Sequence, residues 1–242
     1  LPSGAVPGGA PMNVAYHLYK QKKNPALITK IGIDEEGKKL LHIFSGQGVC
    51  TDYFQVDYEY ETGKVYAEPN EHNEVVYDIV KPVAWDFIAW DDSYDDLVSN
   101  AEFFVFGSLA ARSRQSKKTL FRLLESAKNK VLDINLRAPH YSRRIVEELL
   151  TKADFLKINL AELELITGWF SKYTSIEDRL KSVIDKFSIS NIVVTMGGDG
   201  ALLYLEGTKY RHEGYKVEVV DTVGSGDAFL AGFLSKLLDN VS

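Results

Sequence analysis

Residues 131–158, VLDINLRAPHYSRRIVEELLTKADFLKI, contain the pattern on which the fold prediction rests. Short apolar runs at 131–135 and 155–158 predict two strands, and the amphipathic spacing of 142–151 predicts a helix between them. Parallel strands need a long crossover, usually a helix, whereas antiparallel strands can be joined by a tight turn. The stretch therefore predicts a βαβ unit.

The same alternation extends in both directions along the chain. Further helices are predicted at 11–23, 34–44, 113–129, in a pair before residue 191 and from about residue 226, and further strands at 26–31, 102–106, 191–195, 201–206, 210–213 and 217–220. Strands alternating with helices of this length predict an α/β fold with a doubly wound, mostly parallel sheet and helices on both faces.

One region interrupts the alternation. Residues 51–83 are rich in Tyr, Val and Phe and carry turn signals at 61–64 and 70–73, which predicts a β-meander. A small sheet cannot bury both of its faces alone, so we interpret this region as a β-sheet lid over a crevice, with an exposed apolar face that can pair two subunits. No repeat or linker divides residues 1–242, which predicts a single domain with the lid inserted.

Composition narrows the classes of partner. The 242 residues are 45% apolar, and their net charge of −6 argues against general affinity for nucleic acid or anionic lipid. The single cysteine, Cys50, allows no intrachain disulfide, which fits a cytoplasmic protein. No apolar run approaches the roughly 18 residues that span a bilayer, so no membrane partner is expected.

The strongest chemical signal is the heptapeptide DTVGSGD at 221–227, which follows a predicted strand and opens the last predicted helix. Gly224 and Gly226 let the backbone approach a ligand closely, and the free amides of a helix start favour an anion. Asp227, in that first turn, can accept a proton from an alcohol in line with a phosphoryl group. For the Gly-x-Gly element alone, a plain turn followed by a helix-start acid is an equally good interpretation.

Competing motifs are absent. No Gly-Lys-Ser/Thr ends a Walker loop, and Phe229 stands where a dinucleotide fingerprint needs glycine. Neither Gly-x-Ser-x-Gly nor a metal-binding histidine spacing occurs, which argues against the common hydrolases.

The heptapeptide resembles the Asp-Thr-x-Gly-Ala-Gly-Asp signature of the ribokinase-type, or PfkB, carbohydrate kinases, with Ser225 in place of alanine. The resemblance covers nearly the whole chain and implies transfer of the γ-phosphate of ATP, with Mg²⁺, to a sugar hydroxyl. It implies that Asp227 is the catalytic base and that Gly224, Ser225 and Gly226 form the anion hole. It also implies a monovalent cation, K⁺ in related enzymes, near Asp221, although an acid before a glycine turn looks the same without an ion.

Four other segments are similar to family motifs in the expected order. Gly8, Gly9 and Asn13 are similar to the glycine pair and asparagine that grip sugar hydroxyls, although alone they would indicate a turn and helix cap. The remaining residues implied are Arg137 for phosphate or substrate, Asn159 with Glu162 for nucleotide and water-bound Mg²⁺, and Thr195, Gly197 and Gly200, with Gly224 and Gly226, for nucleotide. For Asn159 and Glu162, a simple capping box is the alternative.

Within that family, residues 8–17, 82–86 and 135–141 are most similar to bacterial fructokinases, which implies fructose as the substrate. Ribose, 2-keto-3-deoxygluconate or a nucleoside remain alternative acceptors, and a sugar-binding regulatory protein without turnover is the alternative of another class. The resemblance also implies a homodimer formed through the lid. Because the family has a further N-terminal strand and further C-terminal helices, the chain is expected to be incomplete at both ends.

Overall fold

The structure, a computed structural model, describes residues 6–69, 75–218 and 221–240. The chain divides into two compact units: the first comprises residues 1–90, 113–119 and 227–242, and the second comprises 91–112 and 120–226.

The first unit holds the N-terminal helices and two small sheets. Its elements are α1 (Ala10–Lys20), β1 (Thr29–Gly32), α2 (Glu35–Gly46), β2 (Phe54–Asp57), β3 (Val65–Pro69) and β4 (Val75–Ile79). β1 pairs with β2, and β3 pairs with β4. A small core forms between α1 and α2, where Ala15, Phe44 and Val49 are buried together.

The prediction of a β-meander over residues 51–83 is wrong about which strands pair. β2 pairs in parallel with β1, which lies outside that region, and only β3 and β4 are antiparallel. The reason is that α2 lies between β1 and β2 in the chain and supplies the crossover that a parallel pair needs. An ion pair of 2.7 Å between half-buried Lys30 on β1 and buried Asp57 on β2 also joins the two strands.

Asp34 joins the start of α2 to the turn predicted at 61–64. One of its oxygens accepts from the Gly37 amide (2.8 Å) and the Thr62 hydroxyl (2.6 Å), and the other accepts from the Thr62 amide (2.7 Å). Burial acts to raise the pKa of Asp34, but these hydrogen bonds outweigh it and the pKa is lowered. The ionised carboxylate therefore stabilises this corner, and an N-cap of this kind is worth about 1 kcal/mol.

The second unit is built on a six-stranded sheet. The order is β5-β6-β7-β8-β9-β10, and the strands are β5 (Phe104–Gly107), β6 (Lys130–Asp133), β7 (Phe155–Asn159), β8 (Asn191–Thr195), β9 (Ala201–Leu205) and β10 (Thr208–His212). β5 to β8 are parallel, and the last two pairings are antiparallel. The predicted α/β fold, with a mostly parallel sheet, helices and a small separate sheet, is confirmed.

Helices lie before, between and after these strands in the chain. They are α3 (Ser93–Asn100), α5 (Arg143–Leu150), α6 (Leu160–Gly168) and α7 (Ile176–Phe187), while α4 (Arg114–Ser126) and α8 (Ser225–Asn240) contribute residues to both units. The main core lies between the sheet and its helices. It contains four wholly buried side chains: Leu132 on β6, Ile134 just after β6, and Leu156 and Ile158 on β7. Strands so covered are apolar almost throughout, which explains the short apolar runs from which they were predicted.

Most element predictions are confirmed, with boundary shifts of a few residues. α3 was not predicted. The predicted strand 217–220 is not found at residues 217 and 218, which have no regular secondary structure, and residues 219 and 220 lie outside the described residues. The turn predicted at 70–73 also lies outside them.

Candidate active site

Asp227 and Asn13, predicted from two separate motifs, are hydrogen-bonded to each other. The Asn13 side-chain amide donates to Asp227 Oδ2 at 2.8 Å across a sequence separation of 214 residues. Asp227 is the third residue of α8 and only 7% exposed, while Asn13 lies in the first turn of α1. The first unit therefore places a buried carboxylate and a partly buried amide side by side.

Gly8 and Gly9 lead into α1 beside Asn13. Both are exposed, and Gly9, at φ +119°, has a backbone conformation that favours glycine. A Cβ built on Gly8 would meet nothing within 4 Å, so space around that backbone is open. The Asn13 backbone amide donates to the Gly9 carbonyl at 2.9 Å, which fixes the orientation of the turn relative to the helix. Such an exposed backbone can hydrogen-bond a polyol.

The glycine-rich heptapeptide forms a tight turn and then the start of α8. Asp221 Oδ1 accepts from the Val223 amide at 2.9 Å, and the Ser225 amide donates to the Thr222 carbonyl at 3.1 Å. Gly224 has φ +74° and α8 begins at Ser225. The first amides of a helix have no intrahelical acceptors, so the turn can present them to an anion. The Asp221 side chain is exposed and takes part in a local turn.

Asn159 and Glu162 form the capping box that was the alternative interpretation. Asn159 Oδ1 accepts from the Glu162 amide (2.8 Å), and Glu162 Oε2 accepts from the Asn159 amide (3.0 Å). Glu162 Oε1 also accepts from the amide of Leu136 at 2.8 Å, in the segment that follows β6. The carboxylate, 7% exposed, therefore fixes the start of α6 and the segment that carries Arg137.

Arg137 itself is exposed at the end of that segment, two residues after Asn135, which has φ +38°. Its guanidinium donates to the carbonyl of Leu136 at 3.2 Å. An exposed guanidinium at the carboxyl end of a parallel strand is suited to an anionic ligand.

The predicted nucleotide residues lie at the carboxyl ends of neighbouring strands. Thr195 ends β8 directly opposite Asn159, which ends β7. The turn after β8 is closed by a hydrogen bond of 2.9 Å from the Met196 amide to the Gly200 carbonyl. Gly197 and Gly200 have φ of +59° and +84°, and a Cβ on Gly200 would lie 1.9 Å from the His212 carbonyl oxygen. Only glycine fits at residue 200.

Sequence reasoning missed a buried ion pair. Lys157 and Asp133 are 6% and 4% exposed, and the Lys157 ammonium donates to Asp133 Oδ1 at 2.9 Å. The available signal was a lysine inside the otherwise apolar run of β7, because buried parallel strands rarely contain a charge.

A mostly parallel α/β sheet, with a glycine turn at the start of a helix and polar residues at the strand ends, is suited to binding a phosphorylated ligand. The model of the pfkB family of carbohydrate kinases matches residues 4–242, and the chain belongs to this family.

Relatives and solved structures agree with the family. The chain is 29% identical to "Probable fructokinase-6, chloroplastic" of Arabidopsis thaliana over 98% of its own length, and spans 63% of the length of that protein. Its fold is similar to that of apo fructokinase from Vibrio cholerae O395, with a TM-score of 0.82, 28% identity and coverage of 98% of this chain and 84% of that chain. A double mutant of the Vibrio enzyme in its fructose-, ADP- and potassium-bound form has a TM-score of 0.83 at 26% identity, covering 96% of this chain and 76% of that chain.

The residues present fit Mg²⁺ bound chiefly by water and phosphate. Among the described residues, no three His, Cys, Asp or Glu side chains converge as metal ligands. Mg²⁺ usually keeps several waters and takes one or two carboxylates plus substrate phosphates. Glu162 is 7% exposed and each of its oxygens already accepts from a backbone amide, so it would contact Mg²⁺ through water. The described part of the chain also contains no helix with the length and hydropathy needed to span a bilayer.

Proposed function

We propose that the protein is an ATP-dependent sugar kinase that phosphorylates fructose to fructose 6-phosphate. The observation that carries the proposal is the hydrogen bond of 2.8 Å between Asn13 and Asp227. It joins the residue predicted to hold a sugar hydroxyl to the carboxylate predicted to deprotonate one.

In the proposed reaction, Asp227 accepts the proton of the sugar hydroxyl as the hydroxyl oxygen forms a bond to the γ-phosphorus. The bond from that phosphorus to the β-phosphate oxygen breaks, and ADP leaves. Asn13 donates to Asp227 Oδ2 and so orients the carboxylate. General-base assistance of this kind contributes about 10²–10⁴-fold to the rate.

The remaining roles follow the chemistry of each group. Backbone amides at Gly224, Ser225 and Gly226 hold the negative charge that develops on the transferring phosphoryl group. Gly8, Gly9 and Arg137 bind the sugar or its phosphate. The nucleotide is contacted by Asn159, Thr195, Gly197 and Gly200. Glu162 contacts Mg²⁺ through water, and Asp221 binds a monovalent cation. Bound Mg²⁺ neutralises phosphate charge.

Fructose is preferred to ribose, 2-keto-3-deoxygluconate or a nucleoside because of the relatives. The curated relative from Arabidopsis thaliana is named a probable fructokinase, and the Vibrio cholerae enzyme has been solved with fructose, ADP and potassium. Both likenesses extend over nearly all of this chain, which supports the same acceptor here.

The experiment that tests the acceptor is ADP release from ATP and Mg²⁺ with fructose, ribose, 2-keto-3-deoxygluconate and adenosine, on the full-length protein. We expect kcat/KM for fructose to exceed that for the other three by at least about tenfold, because a pocket that hydrogen-bonds specific hydroxyls rejects acceptors that leave its polar groups unpaired. Preference for another acceptor would contradict the fructose assignment alone. Sugar binding without turnover would favour a regulatory protein.

We also propose a single kinase domain with the β lid inserted at 51–83, a homodimer formed through that lid, no nucleic-acid or membrane partner, and a cytoplasmic location. The dimer is supported by exposed apolar side chains on β3 and β4, where Val65, Tyr66 and Tyr77 are 55%, 52% and 37% exposed. The net charge of −6 supports the absence of a nucleic-acid or membrane partner, and the single cysteine supports the cytoplasmic location. Fractionation of cells would test the location.

The dimer predicts a mass of twice the monomer in analytical ultracentrifugation. Tyr66→Glu should shift the protein to the monomer, because a charge at the centre of an apolar interface is costly to bury. Tyr210→Glu is the matched control, since Tyr210 has nearly the same exposure (53%) but lies on β10. A monomeric wild type, or equal effects of the two variants, would contradict the lid interface.

A further inference from the structure

Lys157 lies where a charged side chain is costly. It is the third residue of β7, an internal strand of the six-stranded sheet, and its flanking residues Leu156 and Ile158 are wholly buried. Lys157 itself is 6% exposed. Desolvation of an ammonium group in such a place opposes folding unless the group is well paired.

Asp133 supplies that pairing from the neighbouring strand. It ends β6 directly opposite Lys157 in the parallel register, and its Oδ1 lies 2.9 Å from the Lys157 ammonium. A buried ion pair of this kind is rarely more stabilising than two apolar side chains of similar volume. Fold stability alone therefore gives little reason for a lysine at this position.

The Lys157 ammonium also lies against the start of α8. A Cβ built on Gly226, the second residue of that helix, would be 2.9 Å from Lys157 Nζ and 3.7 Å from Cε. The start of a helix already carries a partial positive charge. Two positive groups in contact repel each other, and an anion bound at the helix start relieves that repulsion.

The geometry points to Lys157 as a positioning residue for the transferred phosphoryl group. Its fixed charge, acting beneath the glycine turn, strengthens the anion hole formed by the first amides of α8. Asp133 holds the ammonium in place, and Gly226 leaves room for it. This inference rests on the proposed function, because it assumes that the start of α8 binds the phosphoryl group.

The test removes the charge without leaving a buried partner unpaired. The double variant Lys157→Met/Asp133→Leu replaces the ion pair by two apolar side chains of similar size, a change that is often neutral for stability. The matched control is Lys130→Met/Asp154→Leu, which neutralises a more exposed pair of 3.2 Å between Lys130 on β6 and Asp154 just before β7.

Two readouts separate an electrostatic role from a structural one. In calorimetry on the nucleotide-free protein, the affinity for inorganic tripolyphosphate should fall about tenfold in the Lys157→Met/Asp133→Leu variant and stay unchanged in the control. In turnover, kcat should fall about 10–100-fold while KM for the sugar stays within twofold, since loss of one stabilising group at a developing anion costs up to 10²–10³-fold. Urea denaturation of both variants checks that the fold is retained.

Wild-type tripolyphosphate affinity and kcat in a folded Lys157→Met/Asp133→Leu variant would overturn the inference. If that variant does not fold, Gly226→Ala tests the inference instead, because the added Cβ displaces the Lys157 ammonium. Its control is Gly232→Ala on the same helix, where an added Cβ meets nothing within 4 Å. Unchanged tripolyphosphate affinity in Gly226→Ala would equally overturn it. A wild type that binds tripolyphosphate through Lys157 but phosphorylates no sugar would refute the proposed function and keep the anion site.

Discussion

Replacement of Asp227 by asparagine is expected to lower kcat for the sugar by about 10³-fold, within the range of general-base contributions. The asparagine side chain has nearly the same shape and keeps an oxygen that can accept from the Asn13 amide, which lies 2.8 Å from Asp227 Oδ2. It cannot accept the proton of the substrate hydroxyl. KM for the sugar should therefore change little, and the loss should appear in kcat.

Asp239→Asn is the matched control for this variant. Asp239 lies on the same helix, twelve residues or about 18 Å further along, and it is half exposed and paired with Lys23. It should keep wild-type kcat, because neutralising an exposed ion pair costs little. An Asp227→Asn enzyme with more than about a tenth of wild-type kcat would show that another group takes the proton.

Asn13→Asp is expected to move the acid limb of the pH–rate profile to higher pH by one to several pH units. The substitution brings two carboxylates to about 2.8 Å, the distance that the Asn13 amide now spans. Two carboxylates so close share a proton, and the apparent pKa of the pair for losing it rises. A base that still holds this proton is inactive, so kcat should fall about tenfold for each pH unit below the new pKa and recover as the pH rises through it.

Asn13→Ala separates the charge effect from loss of contact. It removes the donor to Asp227 without adding a carboxylate, so activity should fall without recovery at high pH. Identical pH profiles for Asn13→Asp and wild type would mean that Asn13 and Asp227 are apart in the working enzyme.

The sequence predicted those features that depend on neighbours along the chain. The period of β6, α5 and β7 was sufficient for the βαβ unit, because a buried parallel strand and an amphipathic helix each leave a local pattern. The turn at 221–226 was predicted for the same reason, because the positive φ of Gly224 is a local backbone conformation that favours glycine. Family membership followed from motifs of this local kind.

Strand pairing was the part that local pattern could not supply. β2 has the composition of a meander strand, yet it pairs in parallel with β1 because α2 returns the chain to the same side. Apolar alternation states which residues favour a sheet, and it carries no information about which strand lies next to which.

Long-range contacts between polar side chains were likewise decided only by the tertiary structure. Asn13 and Asp227 were each predicted for a site, but their hydrogen bond joins residues 214 positions apart. Lys157 was not predicted at all, because its burial, its pairing with Asp133 and its approach to Gly226 come from three separate segments. Sequence by itself determined the α/β class, the glycine turn and the family, since these depend on local backbone preference and hydrophobic period. Tertiary structure alone determined which charges are buried together, because burial and Coulomb interaction depend on distances in space.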